Sequence, residues 1–438
     1  MTVTASGSIG MALDGSSPSS TIMLSGTTGN VVGKWKLTAV NEPMSVTKIN
    51  LLLADWGTSL DQWDSIKNLT IEYPRQDGTT GTRTVSPSTT NATFDNLDMY
   101  IPKNGSSVVT AKADFYEIAS ESADFGDQIK VSFDYDGVFA AVGLASGVAK
   151  TTAGTVDTIA ATHVLYKTLV TVTKDTSGMS TVLVSGTTNT LYKFTVTADS
   201  RGNAGLKRMT FAVSVTDNGT SSNSVYVGQF ALLKDSVDIS TTNVLLSAVA
   251  GLGTVSGQAD NTTAAARVSM ESGTSVYIGG TGTGNGALGT TTTWLNANLG
   301  YTGGATAPET GDLAVPAGAT AHFTLNGVAG TGFSGADDDA IAVELQGDTT
   351  APADGSFDVV DNDVTASPEY VLVLALPATG VTDASDVEFI WTDYSAISHT
   401  GAVADNSGTP DTSPDSSSDF ANGWLVKNFP LGAWSLVA

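Results

Sequence analysis

Gly33-Lys34-Trp35-Lys36-Leu37-Thr38-Ala39 and Tyr192-Lys193-Phe194-Thr195-Val196-Thr197-Ala198 are two versions of one alternating phrase. Apolar and polar residues exchange places at every step, the period of a strand with one face in a core. Ser25-Gly26-Thr27-Thr28 leads into the first copy and Ser185-Gly186-Thr187-Thr188 into the second. Each copy is followed by a polar turn and another strand. Further along, Ile101-Pro102-Lys103-Asn104-Gly105-Ser106 precedes the strand Val108 to Ala113, and Val315-Pro316-Ala317-Gly318-Ala319-Thr320 precedes Ala321 to Leu325. Gly126-Asp127-Gln128-Ile129-Lys130-Val131-Ser132 is echoed by Asp338-Asp339-Ala340-Ile341-Ala342-Val343-Glu344. The same order and punctuation mean at least two copies of one β module in tandem. Proline closes an edge strand because it lacks a donor, and the residues after it supply the permissive turn.

Strand patterns fill the rest of the chain, among them Ile129 to Phe133 and Tyr370 to Leu374, and helical spacing is scarce apart from one possible turn near Ser59 to Lys67. The expected fold is all-β, with tandem immunoglobulin-like β-sandwich domains. Residues 1–12 form an N-terminal strand, residues 13–149 a first sandwich and residues 150–163 a Thr/Ala/Gly-rich linker. Residues 164–438 form a second sandwich region, with a Gly-rich insertion at about 248–308, read first as a long exposed loop and second as a small glycine-packed sheet, and extra strands over 357–438.

Composition removes several functions. No Cys among 438 residues excludes disulfide frameworks, zinc–cysteine sites and thiol catalysis. A net charge of −25 repels nucleic-acid phosphates and anionic lipid headgroups. No apolar run approaches the roughly 18 residues of a spanning helix. Residues 1–234 hold 17 basic and 20 acidic residues, whereas residues 235–438 hold 2 and 24. That asymmetry suits head-to-tail subunit packing, a cation-binding half, or simple solubility. The Ser/Thr/Asn/Gly-rich surface suits a mature extracellular chain, with no leader pattern at Met1 to Gly7.

The chemical candidates are acidic clusters: Asp337, Asp338 and Asp339; Asp358 with Asp361 and Asp363; Asp383 with Asp386; Asp134 with Asp136. Calcium takes six to eight oxygens at about 2.3 to 2.6 Å, which such loops can supply. Asp337, Asp338, Asp339, Asp361 and Asp363 are therefore candidate ligands of a possible Ca2+, with no cofactor required. Asp is also an ordinary turn residue, and no cluster follows the EF-hand spacing. Gly284-Asn285-Gly286-Ala287-Leu288-Gly289 spells a dinucleotide fingerprint, but the β-branched Thr290 to Thr293 stands where a helix is needed. Leu376-Pro377-Ala378-Thr379-Gly380 spells a sortase signal without the apolar stretch and basic tail that follow one. His163, His322 and His399 lie in no catalytic motif, so no catalytic residue is assigned. Five N-x-S/T matches beginning at Asn68, Asn91, Asn104, Asn218 and Asn261 are expected by chance in so Thr-rich a chain. The tryptophans, including Trp35, Trp391, Trp424 and Trp434, read as core fillers, with Trp56 and Trp63 exposed.

Phe389-Ile390-Trp391-Thr392-Asp393-Tyr394-Ser395-Ala396, His399, and Asp419 to Pro430 resemble the closing segment of surface proteins from Patescibacteria, the candidate phyla radiation. Leu37-Thr38-Ala39, Asn41-Glu42, the strand Ser45 to Leu53 and Ile101 to Gly105 share that resemblance. It implies tandem immunoglobulin-like sandwiches displayed outside the cell as surface-layer or filament components, with no catalytic residues. The expected function is a non-enzymatic, self-assembling structural protein whose partners are other copies of itself. Residues 1–12 are a possible intersubunit connector by strand addition, against the alternative that they are the first strand of their own domain. A carbohydrate-binding adhesin contacting cell-surface glycans is the alternative.

Overall fold

The alternation of the opening phrase becomes burial in β3 (Asn30–Val40), where Trp35, Leu37 and Ala39 are buried and Lys34, Lys36 and Thr38 are not. The computed structural model describes residues 6–53, 63–118, 123, 125–219, 225–239, 244–248, 277–279, 289–299, 312–348, 389–395, 420–421, 423–429 and 431–438. Among them every regular element is a strand, numbered here along the chain. The chain divides into two units, changing over between Lys167 and Thr168.

In the first unit one sheet runs β1 (Ser8–Leu13), β3, β9 (Ser106–Phe115), β5 (Ile66–Pro74), β6 (Thr80–Val85). The second is built on β4 (Met44–Leu52), which pairs with β7 (Asn91–Phe94), β8 (Met99–Ile101), β11 (Ser132–Phe133) and β12 (Ala140–Gly143). β14 (Thr158–Ile159) extends it beside β11, and β13 (Ala149–Lys150) beside β12. β15 (His163–Tyr166) runs antiparallel to β10 (Gln128–Ile129) and parallel to β2 (Ile22–Leu24). The order β1-β3-β9-β5, with β4 crossing to the other sheet, is the A-B-E-D plus C arrangement of an immunoglobulin-like sandwich. Trp35 of β3 meets Phe133 of β11 at 6.0 Å between ring centroids, which closes the core between the sheets.

The second unit repeats this plan. One sheet runs β16 (Val170–Lys174), β17 (Thr188–Ala198), β25 (Thr320–Ala329), β19 (Tyr226–Lys234), β20 (Val237–Asp238), with β22 (Tyr277–Gly279) also on β19. The other is built on β18 (Ala204–Asp217), which pairs with β23 (Gly289–Leu299), β24 (Leu313–Val315), β26 (Ala340–Leu345) and β27 (Phe389–Thr392). β21 (Val244–Ala248) borders β23, β28 (Phe420–Ala421) borders β27, and β29 (Trp434–Val437) borders β26. Phe194 of β17 lies between Phe323 at 5.1 Å and Phe211 at 6.0 Å, the second of these on the opposite sheet.

The repetition holds residue for residue. Thr38 is opposite Ser106 and Thr197 opposite Thr320; a bulge falls at Val32 in β3 and at Leu191 in β17. Val46 faces Met99 and Ala141, as Leu206 faces Leu313 and Trp391, with a second shared irregularity at Thr47 and Lys207. Phe133 lies opposite Leu51 and Leu345 opposite Phe211, which puts Asp127 and Asp339 at equivalent positions, as their sequence echo requires. The proline turns match too: Gly105 N donates to Pro102 O at 3.0 Å and Ala319 N to Pro316 O at 2.9 Å. Asn104 and Gly318 both take positive φ there (52° and 69°), a conformation open to Gly and tolerated by Asn.

Several expectations are revised. Residues 150–163, expected as a linker, carry β14 and reach β15 inside the first unit; Ala153 and Ala160 are buried, and Trp35 Nε1 donates to Thr158 O at 2.8 Å. Within the Gly-rich stretch 248–308, Gly289–Leu299 is not a loop. Its Thr run, Thr290 to Thr293, leads into an alternation of buried Leu295, Ala297 and Leu299 with Asn296 and Asn298, and the strand pairs along β18, where β7 pairs with β4. Of the two readings of residues 1–12, the own-domain strand is the one seen: Ser8 to Ala12 pairs in its own sheet along Lys36 to Val40. Trp63 is half-buried against the first core, and Trp424 and Trp434 are half-buried rather than core. Ile66 and Lys67 belong to β5, not to a helical turn. Tyr370 to Leu374, Leu376 to Gly380, His399 and Trp56 lie outside the described residues, as does Gly284 to Leu288 of the glycine motif.

Candidate functional site

At one end of the second unit the turn before β26 brings acidic residues to the end of β29. Asp339 is buried, and its two carboxylate oxygens accept Asn218 N and Ser334 N, each at 2.9 Å. Its carbonyl accepts Ala438 N at 2.9 Å. Asp217 Oδ1 accepts Gly219 N at 3.0 Å; burial first, then the charges of Asp339 and Asp337, raise its pKa. Asp337 and Asp338 are exposed. The three consecutive aspartates thus divide their labour: Asp339 ties a loop to main-chain donors, while its neighbours present charge to solvent. Asp361 and Asp363 lie outside the described residues, so nothing here brings them to this loop.

Asp134, Asp136 and Asp157 do converge. One carboxylate oxygen from each lies within 4.8 Å of the others, the one such group of three among the described residues. Position 157 is far from the Asp134/Asp136 pair in sequence, so spacing alone does not reveal it. Asp134 also accepts Gly137 N at 2.8 Å and Asn50 Nδ2 at 2.9 Å, and Asp157 accepts Tyr135 N at 3.0 Å. These are turn-capping bonds, and three carboxylates are fewer oxygens than a calcium shell needs.

Glu42 carries a role that sequence reading missed. Buried at the start of β4, its carboxylate accepts Gly7 N at 2.7 Å, Ser146 Oγ at 2.7 Å, Ser146 N at 2.8 Å and Ala145 N at 3.0 Å. Those bonds, led by Gly7 N, hold its pKa at about 2. The carboxylate clips the entry to β1 onto the β12–β13 turn. Nothing in an isolated Asn-Glu-Pro announces this, because the donors lie 35 and 104 residues away.

Two of the three histidines, His163 and His322, lie among the described residues. His163 is buried, and desolvation lowers its pKa against the main-chain groups of Val32 and Thr21, which act to raise it. His322 is exposed on β25, its main-chain N donating to Asp235 Oδ1 at 3.0 Å.

No family model matches the chain, and no curated protein matches it. Among solved structures, it is similar to the C-terminal domain of the Streptococcus agalactiae AgI/II polypeptide BspA, at 10% identity over 78% of this chain and 95% of that one, with a TM-score of 0.18. It is similar to the C-terminal domain of the Streptococcus pyogenes antigen I/II-family protein AspA at 10% identity, over 78% and 94%, with a TM-score of 0.17. The Corynebacterium diphtheriae major pilin SpaA aligns at 11% identity over 77% and 62%, with a TM-score of 0.16. Scores this low do not superpose the folds, so the sandwich assignment stands on strand order and pairing.

Proposed function

We propose that this chain is a non-catalytic structural subunit that assembles with copies of itself outside the cell, as a filament or surface layer. The observation behind this reading is the duplication: one sandwich plan occurs twice in a single chain with shared register, bulges and turns. A module that already follows itself in sequence needs only one further contact, from the last unit of one copy to the first of the next, to continue indefinitely. A heterologous contact of that kind propagates instead of closing. Among the described residues, the buried aspartate Asp339 is engaged by main-chain donors that tie a loop, a structural role.

Electron microscopy and sedimentation velocity on the purified chain test the proposal. Ordered fibres or sheets that grow with protein concentration are expected. Monomers at every concentration that bind a glycan array would replace this reading with the adhesin.

A further inference from the structure

The two units are alike in their cores and unlike at their ends. In the first, Ile22 lies opposite Val164 across the parallel pair of β2 and β15, and both are buried, at 9% and 0% exposure. The corresponding bridge in the second unit joins Val182 to Val437. There Val182 is 60% exposed and its neighbour on the same side, Val184, 53%, while Leu183 between them is buried. Val437 is exposed as well. The same module position is therefore covered in one copy and open in the other. Valines side by side on a protein with abundant Ser and Thr mark a contact surface better than a solvated one. Next to Val437, Ala438 N donates to Asp339 O in the loop that carries the exposed Asp337 and Asp338.

The first unit has a surface of matching character at its opposite end, around the Glu42 clip. Val40, Leu144 and Val148 are exposed there. Leu144 N donates to Pro43 O, and Val148 O accepts Gly143 N, so both flank the turn that Glu42 holds. The charges near this end are basic: Lys103, exposed in the proline turn that bridges to Ala39, and Lys150, opposite Ala141. Glu42, the carboxylate in the middle, is already committed to four donors.

We infer that the Val182–Val184–Val437 face with Asp337 and Asp338 docks onto the Val40–Leu144–Val148 face with Lys103 and Lys150 of a second copy of this chain. The inference rests on the self-assembly reading above and gives it a surface. Apolar side chains meet apolar side chains, and the acidic rim meets the basic one, which sets orientation and speeds encounter. Pairing the acidic valine face with itself would oppose Asp337 and Asp338 to their own copies, a repulsive arrangement. The contact is thus heterologous and leaves both outer ends open for growth.

The test uses the full chain and two double variants, Val182→Asp/Val184→Asp and Leu144→Asp/Val148→Asp. These positions are exposed, so melting temperatures should stay close to wild type. Val182→Ser/Val184→Ser is the milder control should aspartate disturb β2-like pairing. Followed by sedimentation velocity, wild type assembles, and each double variant alone shifts assembly to at least about tenfold higher concentration, because it buries unpaired carboxylates. Mixed in equal amounts, the two variants form a one-to-one complex that does not grow, since each supplies the face the other lacks. Lys103→Glu weakens assembly, and Asp337→Lys in the other partner of the mixture restores it. If wild type assembles and both double variants assemble equally well, the assigned faces are wrong while the self-assembly reading survives. If Leu144→Asp/Val148→Asp forms closed dimers through its intact valine face, the heterologous geometry is wrong. If wild type never assembles, the reading beneath both falls.

Discussion

Gly33 and Trp35 in β3 occupy the positions of Tyr192 and Phe194 in β17, so the two copies have exchanged bulk between neighbours on the same side of a strand. A Cβ added at Gly33 would lie 2.6 Å from Trp35 Cη2, 2.9 Å from Cζ2 and 2.9 Å from Ala160 Cβ, against about 3.5 to 4.0 Å for carbon atoms in contact. Trp35 has no room to yield: it is fully buried and its Nε1 is held by Thr158 O at 2.8 Å. Gly33→Ala should therefore cost about 1–3 kcal/mol by overpacking. Trp35→Phe should cost about 2 kcal/mol, half from the lost hydrogen bond and half from the vacated volume. The two atoms that collide with the new methyl belong to the indole ring portion that Phe lacks. The double variant should then be less damaged than the sum by about 1 kcal/mol, a shift of about 2–4 °C in the melting of a unit this size. Urea unfolding, with hydrogen exchange on β3 and β9 peptides to assign the transition to the first unit, measures all three variants. Additivity within about 0.3 kcal/mol would refute the claim that the repeats traded volume at this pair.

Glu42→Gln should weaken the first unit at neutral pH and remove part of its acid sensitivity. With a native pKa of about 2 against 4.5 unfolded, the carboxylate's contribution is complete above about pH 4.5 and is lost as pH falls toward 2, and a stability curve over that window checks it. His163 titrates in the opposite chemical sense but with the same outcome. Burial lowers its pKa from 6.5, so the unfolded chain takes the proton first and stability declines as pH falls below about 6.5. His163→Leu, which installs the residue found at the matching position Leu436, should flatten the curve there; an unchanged slope would show the imidazole to be solvated. Because Asp134, Asp136 and Asp157 serve as turn caps and offer too few oxygens for a calcium shell, melts of the first unit with millimolar calcium and with chelator should coincide; a rise with calcium that Asp157→Asn abolishes would overturn this.

What was legible in the sequence was whatever repeats at short range. Alternation around Trp35 and Phe194 gave the strands, and the Pro102 and Pro316 turns fixed where β9 and β25 begin, because such signals act over a few residues. Within the insertion the loop reading comes first because Gly289 to Leu299 is surrounded by glycine, and composition outweighs the alternation of Leu295, Ala297 and Leu299 that makes a strand of it. Residues 150–163 were misread for a similar reason: small residues resemble a linker until Ala153 and Ala160 are found packed in a core. The carboxylates divide the same way. Asp127 and Asp339 could be paired by their shared surroundings in sequence, but the meeting of Asp157 with Asp134, and of Glu42 with Gly7 and Ser146, depends on chain segments brought together only by folding.

Duplication also explains where to look for function. Two copies that share a core must satisfy the same packing, so register, bulges and turn conformations are held in common and carry little information about what each copy does. The ends are released from that constraint. At matching positions the first unit has Gly7, its main-chain N bonded to the Glu42 carboxylate at 2.7 Å, while the second has Thr168, whose hydroxyl donates to Gly202 O at 3.1 Å. The first unit buries Ile22 and Val164 where the second exposes Val182 and Val437. Three exposed valines together on one end are the kind of patch that contact explains, and it is the ends, not the sandwiches, whose substitution should separate assembly from stability.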